Sequence, residues 1–248
     1  MRWLVALLAA CGFRAGVMDE PSSAPDASGT QRDATHVFVD APAAPPAIML
    51  VQKTFGNSGG ADGISATFGA QTSHDFNVAV VKWDSGSTAC NDVTDASGNV
   101  YAKLGTTLTD GAQQLEVWYA TDIAAAGTNK VSATFGATVS NPTLRILEYS
   151  GIALASPVDT SAAASSTSAS MSLDSGPAMT GHASDLLILA EASNSTEQSV
   201  GSGFHDELDV TGDVVADEIV DATGSYDATA SIFPGGRWMI ALAAFAGQ

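Results

Sequence analysis

Residues Leu115–Gly151 read LEVWYATDIAAAGTNKVSATFGATVSNPTLRILEYSG and contain three segments with the character of β-strands. The first, Leu115–Ala120, places Leu, Val and Tyr on one face and Glu and Trp on the other, and Val131–Phe135 alternates in the same way. Successive side chains of a strand point to opposite faces, so this period of two is typical of a half-buried antiparallel strand. The third, Thr143–Tyr149, is almost continuously apolar. We therefore expect it to be covered on both faces.

Strand-like segments of the same kind recur from residue 47 to the end of the chain, separated by turn-forming stretches such as Gly56–Gly60, Asp95–Asn99 and Pro234–Gly236. They show the period of strands and no amphipathic helical period. A single hairpin cannot bury its own apolar face, so several hairpins must share one core. The sequence predicts an all-β domain over residues 47–248, a single two-sheet antiparallel β-sandwich, jelly-roll-like, of about ten to twelve strands.

One heptapeptide occurs twice, as ISATFGA at Ile64–Ala70 and as VSATFGA at Val131–Ala137. A looser third copy covers Asp227–Phe233. Each copy precedes a strongly apolar segment. The repeat therefore predicts a hairpin of one alternating strand, a short turn and one buried strand.

The Ser-, Ala- and Thr-rich stretch Ala155–Ser172 has two interpretations. It could link two domains, or it could cross between the sheets and add an edge strand. The final segment, Trp238–Phe245, is as apolar as any other in the chain. That pattern favours one closed sandwich and therefore the edge strand.

The chain carries 27 acidic and 9 basic residues, which gives a formal net charge of −18. This charge repels nucleic-acid phosphates and leaves no basic patch to bind them, so we exclude nucleic acid as a partner. The two cysteines, Cys11 and Cys90, lie far apart in different contexts. They do not predict a disulfide framework.

The amino terminus, MRWLVALLAAC, has a positive charge at Arg2 followed by a short apolar run. This is the layout of a secretory signal. Residues Leu8–Cys11 resemble the lipobox of bacterial lipoproteins. The resemblance implies that residues 1–10 are a signal peptide and that Cys11 carries a diacylglycerol and an acylated amino group, a durable membrane anchor. An ordinary signal peptide is the alternative.

Residues 11–46 are rich in Pro, Ala, Ser and Asp. Such a stretch buries too little apolar area to offset its ordering entropy, so we expect a disordered tether. Gly12, rather than Asp, follows the lipobox cysteine. The expected location is therefore the bacterial cell envelope, at the outer membrane or the cell surface.

The segments Val93–Tyr101, Val117–Ala120, Asn129–Val131 and Glu148–Gly151 resemble those of β-sandwich modules in secreted bacterial surface proteins. The likeness to jelly-roll carbohydrate-binding and immunoglobulin-like modules is more distant. The shared motifs are turns and buried aromatic residues, so the resemblance implies a fold and no particular reaction. We expect a non-catalytic module, with no catalytic residue, that binds an extracellular glycan or protein.

Two residues are candidates for ligand binding. Trp118 lies opposite the inward-facing side chains of its strand and could stack on a sugar ring. Glu148 lies in the buried third segment, and with Glu116 or Glu191 it could form the carboxylate pair of an anchored polysaccharide hydrolase. That enzyme is the alternative function, and a purely structural envelope component is a further one.

No cofactor is expected, except for a possible structural calcium ion at Asp92, Asp95 and Asn99, which offer oxygen ligands on a tight turn. An Asx turn at Asp95 is the favoured alternative. The dense acidic run Asp206–Asp221 is interpreted as a solvated charged hairpin. The four histidines are dispersed along the chain, and only assembly across strands could bring them into a metal site.

Overall fold

The computed structural model describes residues 46–248, and every regular element in this range is a β-strand. No helix in this part of the chain is long and apolar enough to cross a bilayer. The strands are β1 (Met49–Asn57), β2 (Gly60–Phe68), β3 (Phe76–Asp84), β4 (Cys90–Asp95), β5 (Ala102–Thr109), β6 (Gln113–Ala120), β7 (Asn129–Ser150), β8 (Val158–Asp174), β9 (Ala178–Met179), β10 (Asp185–Ser193), β11 (Thr196–Val200), β12 (His205–Val210), β13 (Asp213–Val220), β14 (Ser225–Tyr226) and β15 (Thr229–Ala246).

Two large antiparallel sheets contain all the strands except the short pair β9 and β14. The first has the order β1-β7-β3-β6-β5, with β2 and β4 also paired to β7. The second has the order β11-β15-β10-β13-β12, with β8 also paired to β15. Apolar side chains of both sheets share one central core, so the predicted two-sheet antiparallel β-sandwich is confirmed. Strand β8 pairs with β15 alone, which confirms the predicted edge strand.

The described residues contain fifteen strands, more than the ten to twelve expected. Strands β4, β11 and β12 have mostly polar sequences, CNDVTD, TEQSV and HDELDV, so they lack the apolar alternation that reveals a strand. Strands β9 and β14 have two residues each. By contrast, β7 and β15 are each a single strand where the sequence had suggested two separate segments.

The prediction that each heptapeptide begins a hairpin is wrong. Val131–Ala137 and the apolar segment after it belong to one continuous strand, β7, of 22 residues. The Asn-Pro pair inside β7 does not form a hairpin turn, although Asn141 has a positive φ of 47°. The two copies of the heptapeptide instead pair with each other, with Ile64 opposite Ala133 and Ala66 opposite Val131.

The two halves of the described chain have the same topology. The second half of β7 lies between β1 and β3, and the second half of β15 lies between β8 and β10. The first half of β7 pairs with β2 and β4. The first half of β15 pairs with the end of β8 and with β11. Strands β6 and β5 then extend one sheet as β13 and β12 extend the other. Two sheets of similar topology therefore face each other in the sandwich.

Three layers of apolar side chains hold the sandwich together. The central layer, between the sheets, includes Phe76, Tyr149 and Phe245. A second layer packs the outer face of the first sheet against β2, β4 and the first half of β7. A third layer covers the outer face of the second sheet. Because both faces of β3 and β10 are covered, these strands are buried along almost their whole length. Thr143–Tyr149, in β7, is also buried on both faces, as the sequence predicted.

The acidic run Asp206–Asp221 forms the β12–β13 hairpin as expected, but the expectation that it is solvated is wrong for two of its members. Asp213 and Asp217 are buried. The hydroxyl of Tyr149 donates to Asp217 Oδ2 at 2.8 Å, and Arg145 lies beside Asp213. These carboxylates therefore connect the second sheet to the first.

Candidate functional site

A polar cleft opens at one end of the sandwich, between the two sheets. The β1–β2 turn, the end of β3 and the bend of β7 form one wall, and the β10–β11 and β12–β13 turns form the other. Its volume is about 450 Å³. Four of its lining side chains are carboxamides, from Asn57, Gln113, Asn141 and Asn194, and most of the others carry hydroxyl or charged groups. The cleft thus combines donors and acceptors from both halves of the chain.

Asp84, at the end of β3, is the most firmly held acceptor in the cleft. Its Oδ1 accepts hydrogen bonds from Lys82 Nζ at 2.6 Å and Gln113 Nε2 at 3.2 Å, and its Oδ2 accepts one from Asn141 Nδ2 at 2.8 Å. Burial opposes ionisation of Asp84, but these donors and the charge of Lys82 outweigh it and lower its pKa. The side chain is therefore a fixed, ionised acceptor at neutral pH.

The opposite wall contains Asp213, whose Oδ1 accepts a hydrogen bond from the Ser193 backbone N–H at 3.1 Å. Arg145 lies behind it, fully buried, with Nη2 at 3.5 Å from Asp213 Oδ2. Burial raises the pKa of Asp213, and the guanidinium of Arg145 opposes that rise. The pair is not bidentate: only Nη2 approaches the Asp213 carboxylate, and Nη1 donates to Thr143 Oγ1 at 3.1 Å.

This arrangement suits binding better than acid–base catalysis. Each cleft carboxylate is associated with a basic side chain, Asp84 with Lys82 and Asp213 with Arg145. The amides and hydroxyls around them offer both donors and acceptors. The lining residues include no aromatic ring, so recognition would depend on hydrogen bonds.

Trp118 lies elsewhere, on the outer face of the first sheet. Only 8% of the residue is exposed, and it belongs to the apolar layer that β2, β4 and β7 cover. Its indole N–H donates to Glu116 Oε2 at 2.8 Å. The predicted orientation, opposite the inward-facing side chains of β6, is confirmed. A ring packed in this way does not present a face on which a sugar could stack.

Glu148 is fully buried, and its Oε2 accepts a hydrogen bond from Gln52 Nε2. Glu148 contacts the carboxyl group of Asp75. Burial, followed by the effect of Glu148, raises the pKa of Asp75 to about 6. The sequence had suggested Glu116 or Glu191 as the partner of Glu148. Glu191 belongs to the other sheet, and Glu116 bonds to Trp118. Neither Glu148 nor Asp75 lines the cleft.

The tight turn after β4 is organised by Asp95. Its Oδ1 accepts hydrogen bonds from the backbone N–H groups of Ser97 and Asn99, at 3.0 Å each. Its Oδ2 accepts from the side-chain amides of Asn99 at 2.7 Å and Asn129 at 2.8 Å. This is the geometry of an Asx turn. Because both oxygens of Asp95 already accept these hydrogen bonds, a calcium ion at Asp92, Asp95 and Asn99 would have to displace the donors. Asp92 itself is exposed.

Only one of the two cysteines lies within the described residues. Cys11, with the signal peptide and residues up to 45, lies outside the described residues. Cys90 is a buried residue of β4 that forms no disulfide within residues 46–248. Burial, reinforced by the charge of Glu116, raises its pKa to about 12, so it is unreactive at neutral pH.

Sequence reasoning missed the cleft. Its residues lie in turns or at strand ends that are far apart in the chain, and only the face-to-face packing of the two sheets brings Asn57 near Asn194. Comparison with protein-family models, with curated proteins and with solved structures gives no match. The functional argument therefore depends on the geometry of this chain.

Proposed function

We propose that the protein is a non-catalytic, lipid-anchored protein of the bacterial cell envelope, whose sandwich binds an extracellular glycan in the polar cleft. The observation that carries the binding proposal is the convergence of carboxamides and ion-paired side chains from both sheets on one cleft. Its volume of about 450 Å³ lies within the range of small-molecule sites.

The chemistry of the lining suits a ligand rich in hydroxyl groups. A sugar hydroxyl both donates and accepts hydrogen bonds, and a carboxamide does the same. Asp84 supplies a fixed acceptor, and Lys82 Nζ has hydrogens beyond the one it gives to Asp84. Because these groups are positioned before a ligand arrives, binding costs little reorganisation.

The charge of the chain narrows the ligand class. A net charge of −18 repels anionic polymers. We therefore propose a neutral or amino-containing glycan in preference to a sulfated or uronic-acid polysaccharide.

The decisive experiment is a glycan array followed by calorimetry on the full chain. Asn57 is exposed and no other residue accepts or donates a hydrogen bond to its side chain within the described structure, so Asn57→Ala tests binding with little effect on folding. We expect this variant to lose about tenfold in affinity, which corresponds to one or two hydrogen bonds. Asn91→Ala, an exposed amide on β4 outside the cleft, is the matched control.

A blank array for the wild-type chain removes the glycan proposal. Equal affinities for Asn57→Ala and Asn91→Ala would show that a glycan binds somewhere other than the cleft. The anchor is tested separately, by intact-mass analysis of the protein from a membrane fraction. Acyl chains on Cys11 support the anchor, and an unmodified cysteine or a wild-type protein that washes free of lipid contradicts it.

A further inference from the structure

A second cluster of ionisable side chains lies at the other end of β10 from the cleft. It contains Asp159 from β8, His182 from the loop before β10, and Asp185, the first residue of β10. One oxygen from each carboxylate and one ring nitrogen of His182 all lie within 4.8 Å of one another. Asp159 lies 23 positions before His182 in the sequence, and the pairing of β8 and β10 with β15 brings it to the other two residues.

The backbone positions Asp159 for this contact. It lies at a β-bulge in β8, between Val158 opposite Phe245 and Thr160 opposite Ala244. A bulge re-aims a side chain away from the regular alternation. The Gly181 backbone N–H donates to Asp159 Oδ2 at 2.6 Å, and His182 Nδ1 lies 2.9 Å from Oδ1. A Cβ on Gly181 would lie 3.1 Å from Asp159 Oδ1, so a glycine favours this approach.

Asp185 provides an independent observation that points to a ligand. It is fully buried, and neither of its carboxylate oxygens has a hydrogen-bond partner among residues 46–248. A buried carboxylate without a partner is strongly unfavourable. Asp185 also lies close to the carboxylate of Asp159, so two like-charged groups share the cluster. Two carboxylate oxygens and one imidazole nitrogen thus offer three ligand atoms to a cation at one place.

We propose that Asp159, His182 and Asp185 bind a divalent transition-metal ion, with Zn²⁺ as the best match. Imidazole and carboxylate together are ligands that Zn²⁺ accepts at about 2.0–2.2 Å. Tetrahedral ligands at that distance are about 3.4 Å apart, which small side-chain movements reach from the observed spacing. Ca²⁺ is a poorer match because it takes six to eight oxygen ligands.

The coordination of this ion has an open side. The His182 side chain is 60% exposed, whereas that of Asp159 is 9% exposed and Asp185 is fully buried. Water can therefore complete a site with three protein ligands. The ion would fasten the edge strand β8 to the start of β10, and it would do so whether or not the cleft binds a glycan.

The test begins with the full chain freed of metal by a chelator. Isothermal titration with Zn²⁺, Mn²⁺ and Ca²⁺ is combined with thermal unfolding at each metal concentration. We expect Zn²⁺ to bind at least tenfold more tightly than Ca²⁺ and to raise the midpoint of unfolding, because an ion that binds only the folded state stabilises it.

Two variants locate the ion. His182→Ala removes an exposed ligand with little effect on folding, and we expect at least a tenfold loss of Zn²⁺ affinity. His205→Ala, an exposed histidine on β12, is the control and should bind like the wild type. Asp185→Asn should abolish the Zn²⁺-dependent rise in the unfolding midpoint; should it fail to fold, His182→Ala decides alone.

Two results would overturn the proposal. One is Zn²⁺ binding that His182→Ala leaves unchanged. The other is the absence of any metal-dependent heat or change in unfolding midpoint in the wild type.

Discussion

The replacement Glu191→Gln is expected to stabilise the domain increasingly as the pH rises. Glu191 lies in β10 and is fully buried. Burial, followed by the charge of Asp213, raises its pKa from 4.5 to about 8. A carboxyl whose pKa is higher in the folded than in the unfolded state contributes stability below about pH 4.5, and that contribution is lost as the pH rises toward 8. The linkage relation gives a loss of about 3.5 kcal/mol between pH 5 and pH 8.

The assay is equilibrium urea unfolding of the full chain at half-unit intervals from pH 5 to pH 8. The free energy of unfolding of Glu191→Gln minus that of the wild type should increase by about 3.5 kcal/mol over this range. Asp221→Asn, which removes an exposed carboxylate that water solvates in both states, is the control and should follow the wild type. A difference between Glu191→Gln and wild type that stays constant with pH would refute the reasoning.

Two further replacements test the packing of the sandwich. Arg145→Met leaves Asp213 buried without its cation and should lower the free energy of unfolding, measured with urea, by about 3–5 kcal/mol. The double variant with Asp213→Asn should recover part of this loss. A double variant no more stable than the single one would contradict the pairing. Gly151→Ala should lower the unfolding midpoint measured by calorimetry, because Gly151 has a φ of +80° and a Cβ there would collide with the backbone that precedes β1. Gly127→Ala, where a Cβ meets open space, is the control, and equal midpoints for the two variants would count against this account of the turn.

Much of the fold could be predicted from the sequence. The alternation in Val131–Phe135 and the continuous apolar character of Thr143–Tyr149 predicted burial on one face and on two, and the structure confirms both. The same alternation predicted a half-buried strand at Leu115–Ala120, and this is wrong, because the second apolar layer also buries Trp118 on the outer face of β6. The hairpin interpretation of the heptapeptide failed for a physical reason. An Asn-Pro pair that would end a shorter strand lies within β7, where Ser140 and Thr143 on either side of it still pair with β3.

The candidate site was beyond sequence reasoning for a different reason. Asn57, Asp84 and Asn194 are each unremarkable residues of turns or strand ends, and nothing local distinguishes them from other such residues. The same holds for Asp159 and Asp185, which come together only because β8 and β10 both pair with β15. The packing of the two sheets creates the cleft and long-range strand pairing creates the Asp159 cluster, and neither is readable from the periodicity of one chain.

The most direct test of the cleft is to record where a glycan binds, without any mutation. The measurement is a two-dimensional ¹H–¹⁵N spectrum of the full chain, titrated with the best glycan from the array, with the side-chain amides assigned. We predict that the largest shift changes occur at the amides of Asn57, Gln113, Asn141 and Asn194, which line the cleft from both sheets. Saturable changes confined to the outer face of the first sheet, around Trp118, would contradict the account.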